Sequence, residues 1–436
     1  MEATKKRFFS REYLNPRVLF MFPLGFALGL SYVLMSSTLC NYLESIGMAT
    51  SRVSILLALV NIPLLAKLLW SSMIENTQAR WIKSFGNFRF FLLLGLLGIS
   101  ISLFCMSLLD PLTQFYLFAL CLLIMALSFS VVDNASGGIR IHLLPPNLLS
   151  YGTSVNTLGF RVGLLTSAAG ALFLADYLAN WQLVYLIGIV FLLIPMLVIF
   201  FFKKTLSTIQ LSSKVSGMNL WERLKNNLLI IKENHFSRQP WVKLYIFFFS
   251  TKVFDAIMNV LIWSFLRSLN FTMTQIALGI LPAFLANILG SFVAGEVQSK
   301  SNYKKGLFAV ALLQVLFSCV LVYMSLSAPT KTFLFVVLIL GNIVGSFSLV
   351  ALYTFYSLIV TKDNASLQFS YLTALNTGFK AIIISLSGLF FYFFEQQWSV
   401  FFIITAGFAI LSFLVLTRLE SKVAITTPEA TAEPSS

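Results

Sequence analysis

The sequence predicts an all-α, polytopic membrane protein, with about twelve transmembrane helices in two parallel six-helix halves. Three observations lead there: a composition too apolar for water, apolar runs of spanning length from end to end, and near-duplicate motifs at one offset in the two halves. Of the 436 residues, 58% are hydrophobic and 11% charged. A folded surface in water cannot be built from that mixture, so lipid is the solvent for most of it.

About 20 apolar residues are enough to cross roughly 30 Å of hydrocarbon as a helix. The chain supplies such runs at 18–40, 53–74, 89–109, 115–138, 153–175 and 182–202. After a polar stretch they resume at 243–265, 274–297, 307–327, 332–358, 369–393 and 397–417. The first run is longer than the apolar core of a signal peptide, and no small-residue cleavage signal stands out after it. It is expected to remain as the first span. The expected organisation is an N-terminal six-helix half at 1–202, a central cytoplasmic loop at 203–242, a C-terminal half at 243–418, and a polar, disordered tail at 419–436. No stretch is left for a soluble catalytic domain.

The net charge of +14 is mostly a matter of topology. With the N-terminus in the cytoplasm, 23 Lys and Arg residues fall in segments on that side, Arg89, Arg140, Lys243 and Arg418 among them, against only Arg52, Arg267 and Lys331 opposite. By the positive-inside rule both termini and the central loop are cytoplasmic. The charge then requires no nucleic-acid partner, although juxtamembrane cations also suit anionic lipid headgroups. Within the central loop, Trp221 to Phe236 reads as an amphipathic helix on the membrane surface, acting as a linker. His235 lies there with no second ligand nearby, and Cys40, Cys105, Cys121 and Cys319 have unrelated spacings, so neither metal nor disulfide is expected. No cofactor is implied, and the protein is expected to be a monomer.

The internal repeat joins Asn156, Thr157, Leu158, Gly159, Phe160, Arg161 to Asn376, Thr377, Gly378, Phe379, Lys380, each in the fifth span of its half. A weaker echo aligns Leu43 to Gly47 with Leu266 to Asn270, again about 220 residues apart. Two parallel halves with a site at the midplane form the architecture of the major facilitator fold. Small residues at intervals of four, as in Gly25 and Gly29, Gly159 and Gly163, Ala286 and Gly290, and Gly341 and Gly345, suit close helix packing and carry no functional weight.

Six ionisable residues fall inside the predicted spans: Lys67, Asp133, Arg161, Lys252, Asp255 and Lys380. Each costs about 2.5 to 3.5 kcal/mol near the centre of an inserted helix, so they must pair or face water. Four cations against two carboxylates leave a positive cavity, which points to a small anionic substrate. Lys252 and Asp255 share a helix face and are able to pair with each other or with charges in spans one or five. Asp133 lies deep in span four, where a carboxylate either exchanges a proton or forms a structural pair. Lys67 either belongs to the site or extends its ammonium to the interface. Arg161 and Lys380 occupy matching positions of the repeat. The expectation is that Arg161, Lys252, Lys380 and Lys67 bind substrate while Asp133 and Asp255 carry protons.

Six stretches carry a resemblance: PLGFALGL at 23–30, AKLLWSSMIE at 66–75, LGFRVGLL at 158–165, LADYLANWQLVYLI at 174–187, TKVFDA at 251–256 and SLQFSYLTAL at 366–375. In these the chain resembles the AmpG-type muropeptide permeases of the major facilitator superfamily. The resemblance implies proton-driven import of anhydromuropeptides, cell-wall fragments bearing carboxylates. Lys67, Asp133, Arg161, Lys252 and Asp255 stand where that family has the same residue types. The chain departs from it at Gly137, where the family carries a second Asp, and at His142, where it carries an acidic residue. Related branches of the superfamily move siderophores or acetyl coenzyme A, and these are the alternative cargo. A membrane enzyme would need a catalytic His or clustered acids at the interface, and His142 has Pro146 four residues on.

Overall fold

The computed structural model describes residues 10–77, 82, 85–203, 206, 209, 220–233, 240–271, 273–300, 303–327, 330–362, 364–393 and 397–418. The expected disordered tail and His235 lie outside these residues. Among them, eleven helices are long and apolar enough to cross a membrane, and there is no strand. The chain divides into two compact units, Met1–Leu228 with Lys362–Ala374, and Leu229–Thr361 with Leu375–Ser436.

The first unit contains α1 (Pro16–Ser45), α2 (Ser51–Ser71), α3 (Asn87–Leu108), α4 (Phe115–Leu143), α5 (Leu149–Leu178) and α6 (Trp181–Phe201). Local chemistry sets several of the starts. The Asn15 side chain accepts from the Arg17 amide at 3.0 Å ahead of Pro16, and Asn180 accepts from the Gln182 and Leu183 amides at 2.9 and 3.3 Å. α1 packs on α5 along reciprocal glycines: a side chain at Gly25 or Gly29 would run into the carbonyl of Asn156 or Phe160, and one at Gly159 or Gly163 into that of Phe22 or Phe26. Backbone meets backbone there, the contact that dispersion favours where lipid removes the hydrophobic drive for helix association.

Large apolar residues also point outward. On α3, Leu94, Leu97, Ile101, Phe104 and Leu108 form an exposed stripe at helical spacing, opposite buried Leu92, Leu96, Ile99 and Leu103. A helix apolar on both faces is stable only with hydrocarbon outside.

Helix α4 runs past its predicted end at 138, so Arg140 and His142 lie in its last turns rather than in a loop. Gly137 and Gly138 do not stop it, because the spaces beside them are filled by Phe369 and by Ser366 and Phe88. Arg140 is buried, its guanidinium carbon 4.6 Å from the Phe369 ring centroid, and His142 packs on Phe88 with centroids 5.5 Å apart. Arg89, at the start of the predicted third span, sits in the first turn of α3, donates to the Phe200 carbonyl at 3.1 Å and lies over the Phe85 ring. The predicted linker helix is present as α7 (Leu220–Ile231), and Asn227 Nδ2 ties it to the Leu68 carbonyl at 3.1 Å.

The second unit contains α8 (Trp241–Ala256), α9 (Met273–Lys300), α10 (Tyr303–Leu326), α11 (Lys331–Ile359), most of α12 (Ala365–Phe393) and α13 (Trp398–Thr417). The predicted seventh span is helical but uneven: α8 passes through a π turn at Ile257–Leu261 into a short helix at Ile262–Ser268. It is not among the eleven apolar spans. The core of this unit is built on Phe254, Ile257, Phe265, Leu338 and Phe402. The first turns of α12, up to Ala374, group with the first unit.

Candidate functional site

Helix α2 is interrupted at Ala66 and Lys67, and resumes at Leu68. A broken helix in lipid leaves backbone groups that need partners. Helix α4 supplies them from one face: Ser130 Oγ donates to the Pro63 carbonyl at 3.2 Å, and Asn134 Nδ2 donates to the Lys67 carbonyl at 3.1 Å. Residues three and four apart share a helix face, so Asp133 is carried to the same place. Lys67 Nζ donates to Asp133 Oδ2 at 3.1 Å and to Thr373 Oγ1 at 2.6 Å.

The two partners differ in access. The Lys67 side chain is 7% exposed and that of Asp133 34%. Lys67 therefore does not reach the interface; its ammonium is held inside the unit by a carboxylate that water still touches. Ser370 Oγ donates to Asn134 Oδ1, and Trp70 Nε1 donates to Ser130 Oγ at 3.2 Å. Charge alone does not point to Ser130, Asn134, Ser370 or Thr373. Their signal in the sequence is the Ser130, Asp133, Asn134 spacing, together with a proline four residues before Lys67.

In the second unit, Lys252 pairs with Asp255, three residues on along α8, and both are largely buried. Of the partners that the sequence leaves open, the one on its own helix is present. Beside this pair Gln314 Nε2 donates to Ser348 Oγ at 2.9 Å and lies 3.4 Å from the Thr251 carbonyl. Arg161 on α5 and Lys380 on α12 are half-buried, one in each unit. The repeat asparagines perform different tasks: Asn156 Nδ2 donates to the Met21 carbonyl at 3.1 Å, whereas Asn376 Oδ1 accepts from Tyr356 OH at 2.9 Å. Among the described residues no three His, Cys, Asp or Glu side chains cluster as metal ligands.

Buried cation–carboxylate pairs on interrupted helices, in a bundle of apolar spans, are means for holding and exchanging charge within a membrane. The sequence profile of the Major Facilitator Superfamily matches residues 18–376. The chain belongs to that superfamily. It is thus a transporter rather than an enzyme, with the superfamily fold of about twelve spans. A curated relative from Rickettsia conorii, named "Putative transporter AmpG 1", is 23% identical over 94% of this chain and 99% of its own. That relative bears the family name that the sequence motifs suggest. Among solved structures, a bacterial homologue of the iron transporter ferroportin, in an outward-facing state, matches this facilitator with a TM-score of 0.70 at 13% identity, covering 94% of this chain and 99% of the other. The facilitator FucP, in an outward conformation, matches with a TM-score of 0.67 at 13% identity over the same shares. At such identities these two structures show a common fold.

Proposed function

We propose that this facilitator imports anhydromuropeptides together with protons across the bacterial inner membrane, with both termini in the cytoplasm. The observation that carries the reading is the Lys67–Asp133 pair, in which a buried ammonium is neutralised by a partly exposed carboxylate. When Asp133 takes up a proton, Lys67 loses its counter-charge inside a low-dielectric bundle, and a carboxylate of the substrate is the group that replaces it. Release of the proton restores the internal pair and expels the anion. Lys252 and Asp255 work in the same manner, and Arg161 and Lys380 supply further positive charge to the cargo. Alternating access between segments 1–202 and 243–418, linked through 203–242, then makes the exchange vectorial. The relatives named putative transporter AmpG support the family resemblance from which this cargo is taken.

A second reading keeps the mechanism and changes the cargo to another organic anion, such as a siderophore or an acetyl-CoA-type molecule. Gly137 favours it, because Phe369 occupies the place where the muropeptide permeases carry another carboxylate.

The test is uptake of labelled anhydromuropeptide into proteoliposomes under an inward proton gradient, with Asp133→Asn and Asp255→Asn for comparison. Gradient-driven uptake that either substitution abolishes supports the reading. Uptake that survives both refutes the proton role, and a folded protein with no uptake moves the cargo to the second reading.

A further inference from the structure

The second unit holds a groove of about 710 Å³ between α8, α12 and α13, within the range of about 300 to 1,000 Å³ typical of small-ligand sites. Its wall is mainly apolar. Phe249 meets Phe379 and Phe408 edge-on, with ring centroids 5.4 and 5.9 Å apart, so aromatic rings form the floor. Two cations, Lys243 and Arg418, line one end, where α8 begins and α13 stops. Both are exposed, and Lys243 Nζ donates to the Arg418 carbonyl at 2.9 Å, which fixes the ammonium beside the residue that carries the guanidinium.

An independent observation lies deeper in the groove. Ser250 lines it about two helical turns, or roughly 10 Å, below Lys243. Its side chain is 2% exposed and its hydroxyl has no hydrogen-bond partner among the described residues. A helical serine usually satisfies itself by donating to the carbonyl one turn back. Here the hydroxyl is left for a ligand.

We propose that this groove binds one anionic phospholipid of the leaflet at that end of the bundle. The phosphate lies on Lys243 and Arg418, an acyl chain lies along Phe249, Phe379 and Phe408, and an ester carbonyl drawn into the groove accepts from Ser250. The mixed lining selects this occupant. A water-soluble anion gains nothing from an aromatic trough, and a zwitterionic choline lipid brings a third cation to the cationic end. Each basic residue near an anionic headgroup strengthens binding roughly fivefold, so two give a preference on the order of 25-fold, and about tenfold where exposure screens them.

The experiment is native mass spectrometry of the full chain in detergent with phosphatidylglycerol and phosphatidylcholine of identical acyl chains. The expected result is one phosphatidylglycerol retained at least about tenfold over phosphatidylcholine, with that preference lost in Lys243→Gln/Arg418→Gln. The control Arg11→Gln/Lys225→Gln removes the same charge from exposed positions of the first unit that do not line the groove, and keeps the preference. Leu411→Trp, which fills the groove from α13, lowers retention and remains informative should the charge variant not fold. Equal retention of both lipids by the unaltered chain, loss of the preference in the control, or undiminished retention in Leu411→Trp overturns the proposal.

Discussion

Phe369 fills the space beside Gly137: a Cβ at that position would lie 2.6 Å from the ring's Cδ1. The same ring covers the Arg140 guanidinium, so this part of α4 is closed by an aromatic residue. The resemblance to the AmpG-type permeases implies a carboxylate where this chain has Gly137. Restoring it by Gly137→Asp should therefore destabilise the protein, by about 1 to 3 kcal/mol from overpacking alone. In a Phe369→Ala background the added cost of Gly137→Asp should shrink. Thermal unfolding of the two singles and the double in detergent measures this, and additive losses would refute the steric account.

Asp133→Asn leaves the Lys67 ammonium buried without a counter-charge. Loss of one partner from a fully buried pair costs about 3 to 5 kcal/mol, and the partial exposure of Asp133 lowers that to about 2 kcal/mol. Lys67→Met in the same protein should recover part of the loss, with a coupling of about 1 to 3 kcal/mol in a double-mutant cycle. Urea unfolding in a mild detergent gives the four stabilities.

The repeat glycines should respond with opposite signs. Gly159→Ala forces a methyl group against the Phe22 carbonyl and should cost at least about 2 kcal/mol by separating α1 from α5. Gly378, its counterpart, has open space around it, so Gly378→Ala should stabilise α12 by up to about 1 kcal/mol through helix propensity. Melting temperatures of the two variants distinguish the sites.

Tyr356→Phe removes the donor to Asn376 Oδ1 and leaves that buried oxygen unbonded. The expected loss is about 1 to 2 kcal/mol. Since Asn156 instead bonds to the Met21 carbonyl, Asn156→Ala should weaken the α1–α5 contact and leave α12 unaffected. Hydrogen exchange resolved by helix reads the two effects separately.

Hydropathy alone determined that this chain lives in lipid, where most of its spans lie, and which six ionisable groups are costly enough to need partners. The Leu220–Ile231 helix was legible for the same reason, since amphipathic periodicity is local. The α4 boundary was not: Gly137 and Gly138 look like helix breakers until Phe369 and Ser366, more than 200 residues on, are seen to fill the space beside them.

Only the tertiary structure decided which charges meet. By sequence position alone Lys67 is equally able to reach the interface; the interruption after Pro63, satisfied by Ser130 and Asn134, carries its ammonium to Asp133. Likewise Gly159 and Gly378 are alike in sequence, yet one lies against a neighbouring backbone and the other in open space. The physical reason is the solvent. In water the buried face of a helix is written in its apolar stripe, but in hydrocarbon both faces are apolar, so the pattern fixes where a helix lies and leaves its partners to packing and polar bonds across the chain.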